Sequence, residues 1–275
     1  MGFSIRTDTV ALTARRNLAE AGRMMSASMA RLSSGRRITR AGDDAAGLAI
    51  ASNLNAQIRS YNQASRNAAD AVSLIQTAEG SLQETTNILT RLRELAMQSA
   101  SSGIGNTERS YLQNEVGQLV LEIDRIARST EYNGVKLVDG NISTLSFQVG
   151  IRNDPSADRI NVLTVDATAA TLGVATLQLA SAPGAQAALE TIDVAIERVS
   201  AARATLGAAG NRFEGVSNTI RIASENLSVA HSRIMDVDVA AEVSALSRAQ
   251  ILSQASIAVL AQTNRMRQLM LRLLE

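Results

Sequence analysis

Cysteine is absent from this chain, which excludes a disulfide framework and any thiolate metal site. Aromatic residues are nearly absent too: there is no tryptophan, and there are three phenylalanines and three tyrosines, although 45% of the residues are hydrophobic. A compact globular core of this length normally uses more aromatic area, whereas thin helical bundles fill their seams with Leu, Ile, Val and Ala. His231 is the lone histidine, so no His-pair metal site can form. Neither sign of charge is in excess. The net charge of +1 argues against a nucleic-acid or anionic-membrane partner. Lys136 is the only lysine, and the other basic residues are arginines, which can make bidentate contacts with carboxylates at subunit interfaces. No run reaches the ~18 apolar residues that a transmembrane helix needs. Met1–Val10 carries Arg6 and Asp8, and Arg15 and Arg16 interrupt any apolar segment after it, so no cleaved signal peptide is expected. By these rules the chain stays in the cytoplasm or leaves by a route that needs no such signal.

What is present is a heptad repeat. Ile192, Val199, Leu206, Phe213, Ile220, Leu227 and Ile234 fall every seventh residue, each followed three positions later by Ala195, Ala202, Ala209, Val216, Ala223, Ala230 or Val237. Such an alternation of bulky and small residues is an a/d seam, which predicts a long helix that supercoils closely against a partner. Extended over Ile192–Val237 it would be a rod of about 65–70 Å. The same steps of three and four recur at Ala68, Ala71, Ile75, Ala78, Leu82, Thr85, Leu89, Leu92, Ala96 and Ser99. A shorter set follows at Leu112, Val116, Leu119, Ile123 and Ile126. The partner of the seam is therefore expected in the same chain.

Both ends continue the pattern. Leu18, Ala21, Met25, Ser28 and Leu32 form one stripe, and Leu252, Ala255, Val259, Gln262, Met266, Leu269 and Leu273 form another. Two such stripes with only each other for a partner make a marginal hairpin, because each large apolar side chain left in water forgoes about 1.5–3 kcal/mol. They are expected to be frayed in the monomer and to fold on assembly. Irregularity is confined to the middle, where both prolines, Pro155 and Pro183, lie. Leu145, Phe147, Val149 and Ile151 alternate, as do Ile160 and Val162, with Asn153-Asp154-Pro155 between them, which predicts a β-hairpin joining two helical halves. The expected fold is mainly α, a long antiparallel helical coiled-coil bundle with a small central β-hairpin region and its two ends together.

The segment Leu32-Ser33-Ser34-Gly35-Arg36-Arg37-Ile38, followed by Ala41-Gly42-Asp43-Asp44-Ala45-Ala46-Gly47-Leu48-Ala49-Ile50, resembles the N-terminal signature of bacterial flagellins. Arg91-Leu92-Arg93-Glu94-Leu95-Ala96-Met97-Gln98-Ser99-Ala100, Glu122–Ile126 and Tyr132–Leu137 continue the resemblance, and Glu225–Ile234 and Ser247–Leu252 carry it near the C-terminus. It covers nearly the whole chain in order. The resemblance implies a self-assembling subunit of the flagellar filament, secreted through the flagellar type III route, and a homo-oligomer of many copies. It implies an inner coiled-coil domain, residues 1–44 with 237–275, and a helical middle domain, 45–140 with 185–236. Residues 141–184 would be a central hairpin where many members carry large outer domains. It further implies an export chaperone and a filament cap as partners, with Leu18, Met25, Leu32, Leu252, Val259, Met266, Leu269 and Leu273 in the filament-core helices.

A contact with the vertebrate Toll-like flagellin receptor also carries over, onto Arg91, Leu95 and Glu115, with Thr90 where the motif often has glutamine. An Arg and a Leu at i, i+4 share one helix face. The same residues are expected to serve the contact between protofilaments first. At the C-terminus Arg267 replaces the family's usual proline, and Arg265, Arg272 and Glu275 add charge, so the helix is expected to continue and to carry arginine towards the filament lumen or an interface. The nearest rivals are a hook–filament junction protein and, in a different class, a coiled-coil adaptor that forms a discrete oligomer.

Enzyme chemistry finds no foothold. Asp43-Asp44 read better as a helix N-terminus than as an acid–base pair. Gly103-Ile104-Gly105 follows no strand, and Glu108 stands where a phosphate loop has its last glycine, so it reads as an interhelical loop. Arg36, Arg37 and Arg40, without aromatics around them, suit a solvated or interface-pairing loop. No cofactor is expected.

Overall fold

The computed structural model describes residues 8–272 and divides into two compact units, one formed by the chain up to residue 58 together with the chain from 226 onwards, the other by residues 59–225. In chain order the elements are α1 (Thr9–Ser34), α2 (Ala45–Ala100), α3 (Asn106–Ser129), β1 (Glu131–Tyr132), β2 (Val135–Lys136), β3 (Thr144–Gln148), β4 (Arg159–Leu163), α4 (Ala169–Leu172), α5 (Ala182–Met235) and α6 (Val239–Arg272).

The larger unit is built on the two seams that the sequence displays. All ten positions of the α2 stripe, from Ala68 to Ser99, are buried. So are Ile192, Val199, Leu206, Phe213 and Ile220 of α5, and Val116 and Ile123 of α3 join them in one core. The backbones of α2, α3 and α5 do not close up as the small residues of the α5 seam suggest. The repeated Cα approach within 8 Å between long helices occurs instead between α1 and α6. The physical reason is the bulk in the larger core: Phe213, Leu206, Leu82, Leu89 and Leu92 fill its interior and hold the axes apart.

The central hairpin is in the expected register. Strand β3 pairs antiparallel with β4, matching Leu145 with Val162 and Phe147 with Ile160. Phe147 meets Phe213 of α5 edge to face at 5.5 Å, which seats the hairpin on the helix core. A second hairpin, β1–β2, turns on Asn133 (φ 50°) and Gly134 (φ 79°), the left-handed pair that a two-residue turn demands.

The return from β4 to α5 has little regular structure and is held by distant side chains. The Asp124 carboxylate accepts from the amide of Ala169, capping α4. The Arg198 guanidinium donates to the carbonyl of Thr171, and Gln113 donates to the carbonyl of Leu177. Leu172, Val174, Leu177 and Leu179 of this stretch are buried.

Candidate assembly interface

In the smaller unit α1 starts on Asp8, whose carboxylate accepts from the amides of Val10 and Ala11, and ends on Gly35 at φ 68°. Helix α6 starts on Asp238, which accepts from Ala240 and Ala241. The buried side chains of α1 are Ala14, Ala21 and Ser28, seven residues apart, with Leu18, Met25 and Leu32 half-buried beside them. On α6 the less exposed positions are Glu242, Leu246, Ala249, Ser253, Ser256, Leu260 and Thr263. The two helices thus meet on small residues, which is why their backbones approach so closely.

The C-terminal stripe read from sequence does not face that seam. Leu252, Val259, Met266 and Leu269 are exposed, Leu269 by 57%, as are Val239, Val243, Ile251 and Ile257. Leu273 lies outside the described residues. On α1 the exposed large side chains are Val10, Leu12, Met24 and Met29. Helix α6 is apolar on more than one face, so its largest residues mark a face other than the one packed on α1. Between the free flanks of α1 and α6 runs a groove of about 600 Å³, lined by Val10, Ala14, Met24, Leu252, Ala255 and Val259 among others. The helix continues through Arg267 to Arg272, and Arg265 and Arg267 are exposed.

Where α1 ends and α6 begins, the two chain breaks are stitched together. The α5 helix stops at Met235, so Val237, the last small position of the heptad, lies outside it. The amide of Val237 donates to the carbonyl of Gly35 at 3.1 Å, and the amide of Arg37 to that of Met235 at 2.7 Å. The Arg37 side chain forks onto the carbonyl of Ile234 through Nε (3.1 Å) and Nη2 (2.8 Å), capping the C-terminus of α5. Ile38, Ala51 and Met235 make a small separate core here. Arg31 and Glu242 form an ion pair at 3.7 Å next to it.

In the larger unit Arg91 donates through Nε and Nη2 to Glu115 at 3.1 and 2.9 Å and through Nη1 to Glu94 at 3.0 Å. These carboxylates hold the guanidinium charged, with Glu115 the stronger influence. All three groups are substantially exposed, whereas Leu95 is only 1% exposed and belongs to the core. Met97 and Tyr111, which sequence reasoning did not single out, are the exposed large side chains on these stretches of α2 and α3.

The remaining candidates have structural places. Asp44 accepts from the amide of Gly47 and opens α2. Asp43 accepts from the amide and hydroxyl of Thr39 and the amide of Arg40, and these bonds hold its carboxyl below the usual range. Gly103–Gly105 lies in the loop between α2 and α3, and His231 is half-buried on α5. Among the described residues no group of His, Cys, Asp and Glu is arranged to hold a metal, and no helix is long and apolar enough to cross a membrane.

Comparison with known proteins closes the question of kinship. Residues 5–143 match the bacterial flagellin N-terminal helical region, and residues 189–274 match the bacterial flagellin C-terminal helical region. The chain is 44% identical to a flagellin of Halalkalibacterium halodurans over 264 residues, covering 96% of this chain and 97% of that protein. It is 44% identical to the flagellar filament 30.7 kDa core protein of Treponema maltophilum over 259 residues, 89% of this chain and 90% of the other. It is 43% identical to a flagellin of Bacillus subtilis, covering 90% and 91%. The crystal structure of Bacillus cereus flagellin superposes with a TM-score of 0.51 at 32% identity, over 56% of this chain and 88% of that one. Two matched helical regions that take in most of the chain, together with full-length relatives at this identity, place the protein in the bacterial flagellin family.

Proposed function

We infer that this flagellin is a structural subunit of the flagellar filament, an extracellular homopolymer, and that it is not an enzyme. The observation that carries the mechanism is where the hydrophobic cores are. Among the described residues neither cluster of buried apolar side chains contains a residue of α1 or α6, yet those helices expose a dozen large apolar side chains. Burial against neighbouring copies would remove that surface from water at roughly 25 cal/mol per Å². Polymerisation then proceeds through heterologous contacts that repeat along a helix.

In this reading residues 1–44 and 237–275 form the inner domain, residues 45–140 and 185–236 the middle domain, and 141–184 the central hairpin. The terminal helices, with Leu18, Met25, Leu32, Leu252, Val259, Met266 and Leu269, order on assembly. Arg265 and Arg267 then face the lumen or pair in an interface. Arg91 and Glu115, with Leu95 in the core, serve a contact between protofilaments, and in the free subunit the same surface is open to the Toll-like flagellin receptor. Membership of the family supports the same reading for export through the flagellar type III route, with a chaperone and a filament cap as partners.

The test is limited trypsin digestion of monomer and of seeded polymer. Cleavage at Arg15, Arg16, Arg23, Arg265 and Arg267 is expected to be fast in the monomer and suppressed in the polymer. Equal protection in both states would overturn assembly-coupled folding, and failure of seeds to elongate would overturn the filament role.

A further inference from the structure

The α1 side of the α1/α6 seam is degenerate by a heptad. Ala14, Ala21 and Ser28 repeat at seven residues on α1, as do Leu18, Met25 and Leu32. On α6, Leu246, Ser253 and Leu260 repeat at the same interval. A slide of seven residues replaces each seam side chain of α1 with one of similar size, whereas on α6 it exchanges leucine for serine in the series Leu246, Ser253, Leu260. The α1 face therefore specifies the register of these two helices poorly.

One position breaks the degeneracy. Glu242 is in the series Glu242, Ala249, Ser256, Thr263, and it alone is charged. Its side chain is only 12% exposed, its Oε1 accepts no hydrogen bond from the chain, and its ion partner is Arg31 at 3.7 Å. In a register shifted by one heptad the residue level with Glu242 is Met24 in one direction, and in the other Glu242 lies beyond the end of α1, which stops at Ser34. Either shift takes Arg31 away from a largely buried carboxylate, and the first sets that carboxylate against an apolar side chain.

We propose that the Arg31–Glu242 pair is the register clamp of the terminal coiled coil, a positioning pair that selects one alignment of α1 on α6. The stitch beside it carries the same information. Gly35 with Val237, and Arg37 with Ile234 and Met235, continue the antiparallel alignment begun by Arg31 and Glu242. The pair is a specificity device: its contribution lies in the cost of the wrong registers and not in its own strength. In a polymer that places each terminal pair against several copies, one misaligned subunit would present its apolar residues at the wrong height.

The absence of cysteine makes the test clean. Counting back from Arg31 on α1 and forward from Glu242 on α6 brings Ala21 level with Leu252 and Ser253. Ala21→Cys with Ser253→Cys therefore reports this register. Ala21→Cys with Leu246→Cys, or with Leu260→Cys, reports a shift of one heptad either way. Each pair is oxidised in seeded polymer and read by denaturing gel, where intramolecular and intermolecular products separate. The 21–253 product is expected to dominate in the otherwise native chain. With Glu242→Ala added to Arg37→Ala, which removes the side-chain part of the stitch, the shifted products should rise by at least about tenfold over Arg37→Ala alone. The charge swap Arg31→Glu with Glu242→Arg should restore the 21–253 product. An unchanged pattern when Glu242→Ala is added to Arg37→Ala, or a swap that rescues nothing in that background, overturns the clamp. The inference rests on the filament reading for ordered terminal helices. If the otherwise native chain gives no polymer, that reading falls, and the same gel on the unassembled chain decides the register.

Discussion

Gln113 on α3 accepts the amide proton of Leu179 from 66 residues away and donates to the carbonyl of Leu177. One side chain does the work of a neighbouring strand for the segment that leads into α5. Ser99 adds a hydroxyl bond to the carbonyl of Leu179. Gln113→Leu keeps the volume and removes both partners, so it should destabilise the larger unit by about 1–3 kcal/mol. Hydrogen exchange at Leu179 should accelerate, and unchanged exchange there would show that the bond is not holding the segment.

Gly80 lies within α2 on an exposed face, and a methyl group added to it would meet nothing within 4 Å. Gly80→Ala should therefore stabilise the monomer by about 0.5–1 kcal/mol, through helix propensity and a less free unfolded chain. Thermal denaturation followed by circular dichroism measures it. A lowered midpoint would mean that the helix needs a glycine there for a reason other than space.

Burial pushes the Asp166 carboxyl up, but hydrogen bonds from the Thr171 hydroxyl and from the amide and hydroxyl of Thr168 outweigh it and leave the group below its ordinary value. A depressed folded-state value means that this stabilisation is complete above the ordinary carboxylate range and is lost as pH falls through the lowered value. The Thr168 amide resonance should titrate with a midpoint below that of aspartate in a peptide, and Asp166→Asn should abolish the titration. A midpoint at or above the peptide value would contradict the arrangement.

Arg91→Ala removes the fork to Glu115 from an exposed surface, where ion pairs add little to stability. The unfolding midpoint of the monomer should hardly move, while the critical concentration for polymerisation should rise. The reverse result, a lower midpoint with unchanged polymerisation, would make the pair an internal brace between α2 and α3.

Much of this architecture is legible in the sequence, for a physical reason. The seams from Ala68 to Ser99 and from Ile192 to Ile220 each pack one face of a helix into one core, and amphipathic periodicity reports that situation well. The central hairpin shows through the alternation of Leu145, Phe147, Ile160 and Val162. On helix α6 the face packed on α1 is Leu246, Ala249, Ser253, Ser256 and Leu260, while the stripe of Leu252, Val259, Met266 and Leu269 is a different, exposed face. A search weighted by side-chain size follows the large residues. The Asn133-Gly134 signal for the β1–β2 turn was present and went unused. The fastening of residues 166–180 was hidden, because its bonds come from Asp124, Gln113 and Arg198 at long range. At the surface site, periodicity places Arg91 and Leu95 on neighbouring turns, but only coordinates reveal that one is exposed and the other buried.

The closure of the central hairpin has a consequence for what the chain can carry. The amides of Val149 and Gly150 both donate to the carbonyl of Asp158, so the ends of the intervening loop are fixed by the scaffold and not by the loop itself. Lengthening a loop whose ends are already held costs only about 0.6 kcal/mol for each doubling. The tip between Arg152 and Ala157 is thus a natural port for extra sequence: an epitope, an enzyme or a metal-binding peptide placed there would be displayed once per subunit, in an array whose spacing is set by helices that the insertion leaves untouched.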